Sequence, residues 1–158
     1  MYVFDNNSFR ELGSYYPNQF PSFWIEFNRA VENTKIITSV REVYKELEFY
    51  TRPRHAHITN WVKEHRSIFR EPSLDELNFV NQILSTKNFK DILRHEHLYE
   101  GKPCADPFII AAAKVIDGCV VTEESKKPNS PNIPNVCEYF NIECTKLQGF
   151  MEREGWSF

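Results

Sequence analysis

The sequence predicts an α/β chain: a three-layer α/β/α arrangement with a mainly parallel central sheet of four or five strands. Three observations lead there. Short continuous apolar segments recur without alternation, as in strands buried on both faces. Stretches with three- and four-residue apolar spacing separate them, as in crossover helices. The 158 residues suit a single domain, residues 1–158, since a domain takes about 100–200 residues. With 41% hydrophobic residues, such a chain forms a core without disulfide or metal staples.

The elements follow in order. Tyr2-Val-Phe-Asp5 reads as a buried strand with a polar end at Asn6-Asn7. Residues Ser14 to Pro21 are rich in Tyr, Pro and Asn and read as a loop. Phe23, Trp24, Phe27, Ala30 and Val31 form one face of a helix. Lys35 to Thr38 is the second strand, and Ser39 caps a helix with Val40, Val43, Tyr44 and Leu47 on its apolar stripe. Arg52-Pro-Arg-His55 interrupts it. Ile58 to Phe69 and Leu74 to Leu84 are helical, the second opening at a Ser73/Glu76 capping box. Lys87 to Pro103 is polar and takes no assignment.

Asp106-Pro107 opens a helix through Val115, with Asp as cap and Pro in the first turn. Gly118 ends it before a third strand, Cys119 to Thr122. A Pro- and Asn-rich loop from Lys126 to Pro134 leads to a short helix, Val136 to Phe140. A fourth strand, Ile142 to Thr145, and a last helix, Phe150 to Gly155, complete the chain.

Composition narrows the function. Nineteen basic and 22 acidic residues give a net charge of −3, so a polyanion would need a local basic patch. The longest apolar run, Phe108 to Ala113, is far short of the roughly 20 residues of a membrane helix. Asp5 interrupts the N-terminal apolar run before a signal peptide forms, so no membrane association and a cytoplasmic location are expected. Cys104, Cys119, Cys137 and Cys144 form no C-x-x-C pair and are expected to be reduced thiols. The pairs His55/His57 and His95/His97 lack cysteines at zinc-finger spacing and read as surface histidines. Five glycines compose neither G-x-G-x-x-G nor a Walker loop, and no G-x-S-x-G elbow occurs.

The chemistry lies in acids at strand ends, where open parallel sheets bind ligands. Asp5 ends strand one, Glu123 and Glu124 follow strand three, and Asp106 opens the helix feeding it. Glu42 and Glu46 stand one turn apart after strand two. Two carboxylates about 4 Å apart repel by roughly 4 kcal/mol at an effective dielectric near 20. Such a cluster calls for protons or a cation, and oxygen-only ligands suit Mg²⁺ or Mn²⁺. Taken singly, each acid also fits a plainer role: Asp106 as a helix cap, Glu46 and Glu124 as solvated acids.

Read in order, the pieces resemble the PIN-domain family of metal-dependent nucleases, and in particular its VapC-type toxin relatives. The matching pieces are Tyr2-Val-Phe-Asp5-Asn6-Asn7, Thr38-Ser39 leading to Glu46-Leu47, Asp106-Pro-Phe-Ile-Ile-Ala-Ala-Ala113, and Val120-Val-Thr-Glu-Glu124. The resemblance spans residues 1 to about 147. It implies a PIN-like fold and a metal-dependent endoribonuclease, the toxin of a toxin–antitoxin system. Asp5, Glu46, Asp106 and Glu124 would hold Mg²⁺ or Mn²⁺, with Asn7 and Thr122 orienting them. A cognate antitoxin and a homodimer are implied partners. The last acid is Glu where the family usually has Asp, which leaves Glu123 as an alternative to Glu124, and Glu42 as one to Glu46. Arg10, Arg52, Arg54, Lys63 and Arg66 are candidate RNA contacts, with Trp61 as either a base-stacking surface or a core residue. The rival reading is a PIN-like scaffold that binds RNA or protein without cleaving.

Overall fold

The computed structural model describes residues 1–50, 56–87, 89 and 104–158. Five parallel strands form one sheet in the order β3-β2-β1-β4-β5. They are β1 (Tyr2–Phe4), β2 (Ile37–Val40), β3 (Phe69–Arg70), β4 (Cys119–Val121) and β5 (Glu143–Thr145). Helices flank the sheet, as in a PIN-like fold. The described ones are α1 (Asn6–Leu12), α2 (Pro21–Glu32), α3 (Arg41–Tyr50), α4 (Ala56–Glu64), α5 (Leu74–Ser85), α6 (Asp106–Val115), α7 (Ile133–Tyr139) and α8 (Leu147–Arg153). None of them is long and apolar enough to cross a membrane.

The strand order reverses at β1, whose chain leaves toward β2 while β4 pairs on its other side. This switch point opens a crevice at the carboxyl ends of β1 and β4. Aromatic rings fix the central strand beneath it. Phe4 is fully buried and meets Phe9, Phe27 and Phe150 with ring centroids 5.6, 5.8 and 5.2 Å apart. Ile109 to Ala113 are fully buried on α6, which packs on β1, β2, β4 and α5. The small alanine side chains let this helix lie close to the strands. All four cysteines are free thiols.

Several boundaries differ from the sequence reading. Lys35 adopts a left-handed backbone, φ 53°, which turns the chain so that β2 runs from Ile37 to Val40. Ser39 is therefore a strand residue rather than a helix cap. Residues 6–12 form a helix because Asp5 caps it, its side chain accepting from Asn6 N–H; the sequence reading ended the strand there without one. The helix expected over residues 58–69 stops at Glu64. A 3₁₀ turn, Arg66–Ile68, then delivers Phe69 to the edge strand β3, where its ring packs on Phe9 and Tyr44. Asn132 caps α7 through Asn135 N–H, so that helix begins earlier than expected, and α8 begins at Leu147. The Ser73/Glu76 capping box of α5 is present, with Glu76 also paired to Arg70 at 2.6 Å.

Ser39 ties β2 to the end of β1: its buried hydroxyl donates to the Phe4 carbonyl at 2.7 Å. Removing it leaves a buried acceptor short of a partner, a loss of about 1–3 kcal/mol. Ser39→Ala is expected to lower the urea midpoint accordingly with an unchanged m-value; an unaltered midpoint would refute that contribution.

Candidate active site

Asp5 stands at the end of β1 and is 3% exposed. Its two oxygens are separately engaged: Oδ1 accepts from Asn6 N–H at 2.6 Å, and Oδ2 from the Thr122 hydroxyl at 2.8 Å. The Asp5 N–H donates to Val121 O at 2.9 Å, so the carboxylate is registered directly against the end of β4. Burial pushes its pKa well above the ordinary carboxylate range, and the charges of Asp106, Glu46 and Glu124 push it further.

Glu46 reaches the same edge from α3 and is 7% exposed. Its Oε1 accepts from Ala105 N–H at 2.7 Å and its Oε2 from Asn6 Nδ2 at 2.9 Å. Burial raises its pKa, and Glu124 adds to that rise against the two hydrogen bonds. Asp106 is the first residue of α6, one position inside the cap. The cap is Ala105, with no side-chain hydrogen bond, which corrects the assignment of Asp106 as the capping residue.

Glu124 belongs to the loop after β4. Its Oε2 accepts from Ile133 N–H at 3.0 Å, at the start of α7. Glu123 has a different partner: its Oε1 accepts from Leu147 N–H at 2.9 Å, at the start of α8, and from the Ser8 hydroxyl at 3.4 Å. Glu42, a turn before Glu46, accepts from Arg41 Nε and Nη2 at 3.1 and 2.9 Å. Its other oxygen is buried without a hydrogen-bond partner. Of each ambiguous pair, Glu46 and Glu124 are the members whose charges act on Asp5.

The polar supports are placed unequally. Thr122, 1% exposed, holds Asp5 directly. Asn7 instead pins the loop, its Oδ1 accepting from Glu123 N–H at 2.8 Å. The sequence reading passed over Asn6, which donates to Glu46 and leaves its own Oδ1 buried and unpaired. Its signal was present only as a second amide beside Asp5.

Among the described residues, no three His, Cys, Asp or Glu side chains close into a group able to hold a metal ion. The donors that face the edge are nonetheless all oxygen. Like charges press on a buried Asp5, and the Asn6 amide oxygen lacks a donor. That chemistry fits a hard divalent cation that keeps several waters.

Of the basic candidates, Arg10 is exposed on α1 and Lys63 on α4. Arg66 is exposed in the turn before β3, with its guanidinium 5.0 Å from the Tyr44 ring centroid. Arg52 and Arg54 lie outside the described residues, as does most of the unassigned stretch after Lys87. Trp61 is a core residue: it is 7% exposed, donates to Asn28 Oδ1 at 2.8 Å, and stacks on His65.

A family model described as a domain of unknown function, DUF4411, matches residues 2–158. No curated protein matches the sequence. Among solved structures, the crystal structure of FitAcB from Neisseria gonorrhoeae is similar in fold, with a TM-score of 0.50. It is 14% identical over 92% of this chain and 96% of that one.

Raised carboxyl pKa values make stability pH-dependent. At Asp5 and Glu46 the folded state holds protons more tightly than the unfolded one. Their contribution is fully present below the unfolded range near pH 4 and is lost as pH rises through the folded values. Without divalent cation, the urea midpoint is expected to fall from this source as pH rises above the unfolded carboxylate range near 4, and less in Asp5→Asn. Mn²⁺ should restore the wild-type midpoint at the upper pH more than the variant's. Equal behaviour of the two proteins would refute a charge-strained Asp5.

Proposed function

This chain belongs to the DUF4411 family, and we propose that it is a metal-dependent endoribonuclease, the toxin of a toxin–antitoxin pair. The observation that carries the reading is the arrangement at the switch point. Asp5, Glu46 and Glu124 each accept a backbone N–H there, and burial together with the charges of Asp106, Glu46 and Glu124 raises the pKa of Asp5. The similarity in fold to FitAcB is compatible with this reading, whose finer part rests on the PIN-like order of the acidic motifs.

In this proposal Asp5, Glu46, Asp106 and Glu124 hold Mg²⁺ or Mn²⁺. When bound, the cation lowers the pKa of a coordinated water and neutralises charge developing on the phosphate. The chain's own part is to aim the carboxylates, whose mutual repulsion around a buried Asp5 favours a bound cation. Thr122 fixes the orientation of Asp5, and Asn6 with Ala105 N–H fixes that of Glu46. Asn7 steadies the loop that carries Glu124. Arg10, Lys63 and Arg66, with Arg52 and Arg54, supply phosphate contacts to an RNA strand. An antitoxin would silence the enzyme by covering the acidic edge, and the site of action would be the cytoplasm. A homodimer would bury Tyr16, Phe20 and Ile25, which are 49%, 41% and 66% exposed.

One observation favours the alternative of a non-cleaving RNA- or protein-binding scaffold: no three acids close on one another among the described residues. The discriminating experiment incubates labelled mixed RNAs with the protein, with Mn²⁺ or with chelator, beside Asp106→Asn. Cleavage is expected only with Mn²⁺. It should fall in the variant by more than the roughly 10–100-fold that loss of an outer partner costs. Cleavage retained by the variant would remove Asp106 from the site. Failure of both proteins to cleave or to bind Mn²⁺ would favour the scaffold.

A further inference from the structure

Arg10, Lys63 and Arg66 lie on α1, on α4 and before β3. Beyond β4, the surface along α7 has so far contributed only the Ile133 N–H that holds Glu124. Two cavities open there. The first, of about 320 Å³, takes in Thr122 and Glu124 from the acidic edge, and then Lys126 and Glu138. The second, of about 410 Å³, is lined by Phe89, Asn129, Ser130, Asn135, Glu138 and Tyr139. Glu138 belongs to both, so the cavities form one path that leads from the acids to the end of α7. Each has the size of a small-ligand pocket, about 300–1,000 Å³.

The walls of this path are held in place. Tyr139 ends α7 and is 60% exposed. Its ring is nonetheless pinned by T-shaped contacts with Phe89 and Phe140, at centroid distances of 5.0 and 4.9 Å. Phe140 in turn meets Phe79 of α5 at 5.0 Å. Another wall is the loop before α7, which is clamped onto that helix. Asn135 Oδ1 accepts from Lys127 N–H at 3.1 Å, and Asn135 Nδ2 donates to Lys127 O at 2.7 Å. Asn132 Nδ2 donates to Ser125 O at 2.6 Å. Asn129 turns the loop with a left-handed backbone, φ 54°, which Asn accepts more readily than most residues. A ligand stacking on Tyr139 therefore meets a ring that needs little further ordering.

We propose that this path binds a single strand of RNA, with one base stacked on Tyr139 and a neighbouring phosphate held by Lys126. A pinned, exposed ring suits a base because every base has a π-face to stack on it. A protein partner would call for a broad apolar face, whereas this ring shares its cavity with Asn129, Ser130, Asn135 and Glu138. Such amides, hydroxyls and carboxylates suit the hydrogen-bonding edges of an unpaired base. Lys126 pairs with Glu138 at 2.5 Å, and both side chains are more than half exposed. An exposed ion pair is weakly held, so the ammonium can turn to a phosphate. Glu124 and Glu138 offset the positive charge along the path, which makes stacking its main source of affinity. That the strand continues to a scissile phosphate at Glu124 rests on the nuclease reading, and the stacking site itself does not.

The test titrates the full-length protein, in chelator so that no cleavage intervenes, into short fluorescent single-stranded RNAs and follows anisotropy. Tyr139→Ala is expected to bind about 5- to 150-fold more weakly than the wild type, the range of one lost base–aromatic stack. Tyr139→Phe, which keeps the ring, should bind as the wild type does. Lys126→Ala should reduce the slope of log affinity against log salt by about one, a slope that Tyr139→Ala leaves unchanged. Irradiated RNA carrying iodouridine should crosslink to the wild-type peptide that contains residue 139, a readout that needs no variant to fold. Tyr139→Ala that binds as tightly as the wild type, or a crosslink that falls only elsewhere, would overturn the stacking site and favour a protein as the ring's partner, with the nuclease reading untouched. RNA held through Tyr139 but not cleaved when Mn²⁺ is supplied would overturn the nuclease reading and leave the stacking site standing. Wild type that binds no RNA would overturn both.

Discussion

Bonds between carboxylates and the starts of helices hold the crevice edge together. In a parallel sheet, every crossover helix points its N-terminus toward the carboxyl ends of the strands, and the positive end of its dipole with it. Asp5 takes the N–H of Asn6 at the start of α1, and Glu46 takes that of Ala105 at the cap of α6. Glu124 takes that of Ile133 at α7, and Glu123 that of Leu147 at α8. Acids that repel one another are thus each matched by a donor fixed in the backbone. The same bonds anchor the helices, so the site and the fold share their supports.

Sequence distance makes this arrangement depend on strand pairing. Thr122 and Asp5 are separated by 117 positions, yet meet at 2.8 Å because β1 and β4 run side by side in parallel register. Asn7 adds a second stitch across the same gap through Glu123 N–H. The switch point is therefore more than an opening. Its two walls are crosslinked by the side chains that aim the acids, so a slip in β1 against β4 would undo both.

Most of the sheet was legible because buried parallel strands write themselves as short apolar runs. The edge strand Phe69–Arg70 was not, being two residues long and following a helix-like stretch. α1 was hidden for a related reason: Asn6 and Asn7 look like the polar end of a strand, and only the cap from Asp5 reveals a helix. Spacing placed Glu42 with Glu46 and Glu123 with Glu124 but had no means to separate them. What separates them are partners distant in sequence, Arg41–Glu42 excepted. Leu147 N–H claims Glu123, and Ala105 N–H claims Glu46. Asp106 illustrates the opposite error, since its sequence context fits a cap, while the backbone leaves that position to Ala105.

The sheet ends on very short strands, β3 with two residues and β5 with three. Such margins offer too few free backbone groups to template another chain by strand addition. Glu143 on β5 adds an exposed charge there, paired with Arg153 at 2.6 Å. Any assembly this protein enters is therefore steered away from extending its sheet and toward contacts between side-chain surfaces of helices, which tolerate exchange of partners without risking the open-ended polymerisation that bare sheet margins invite.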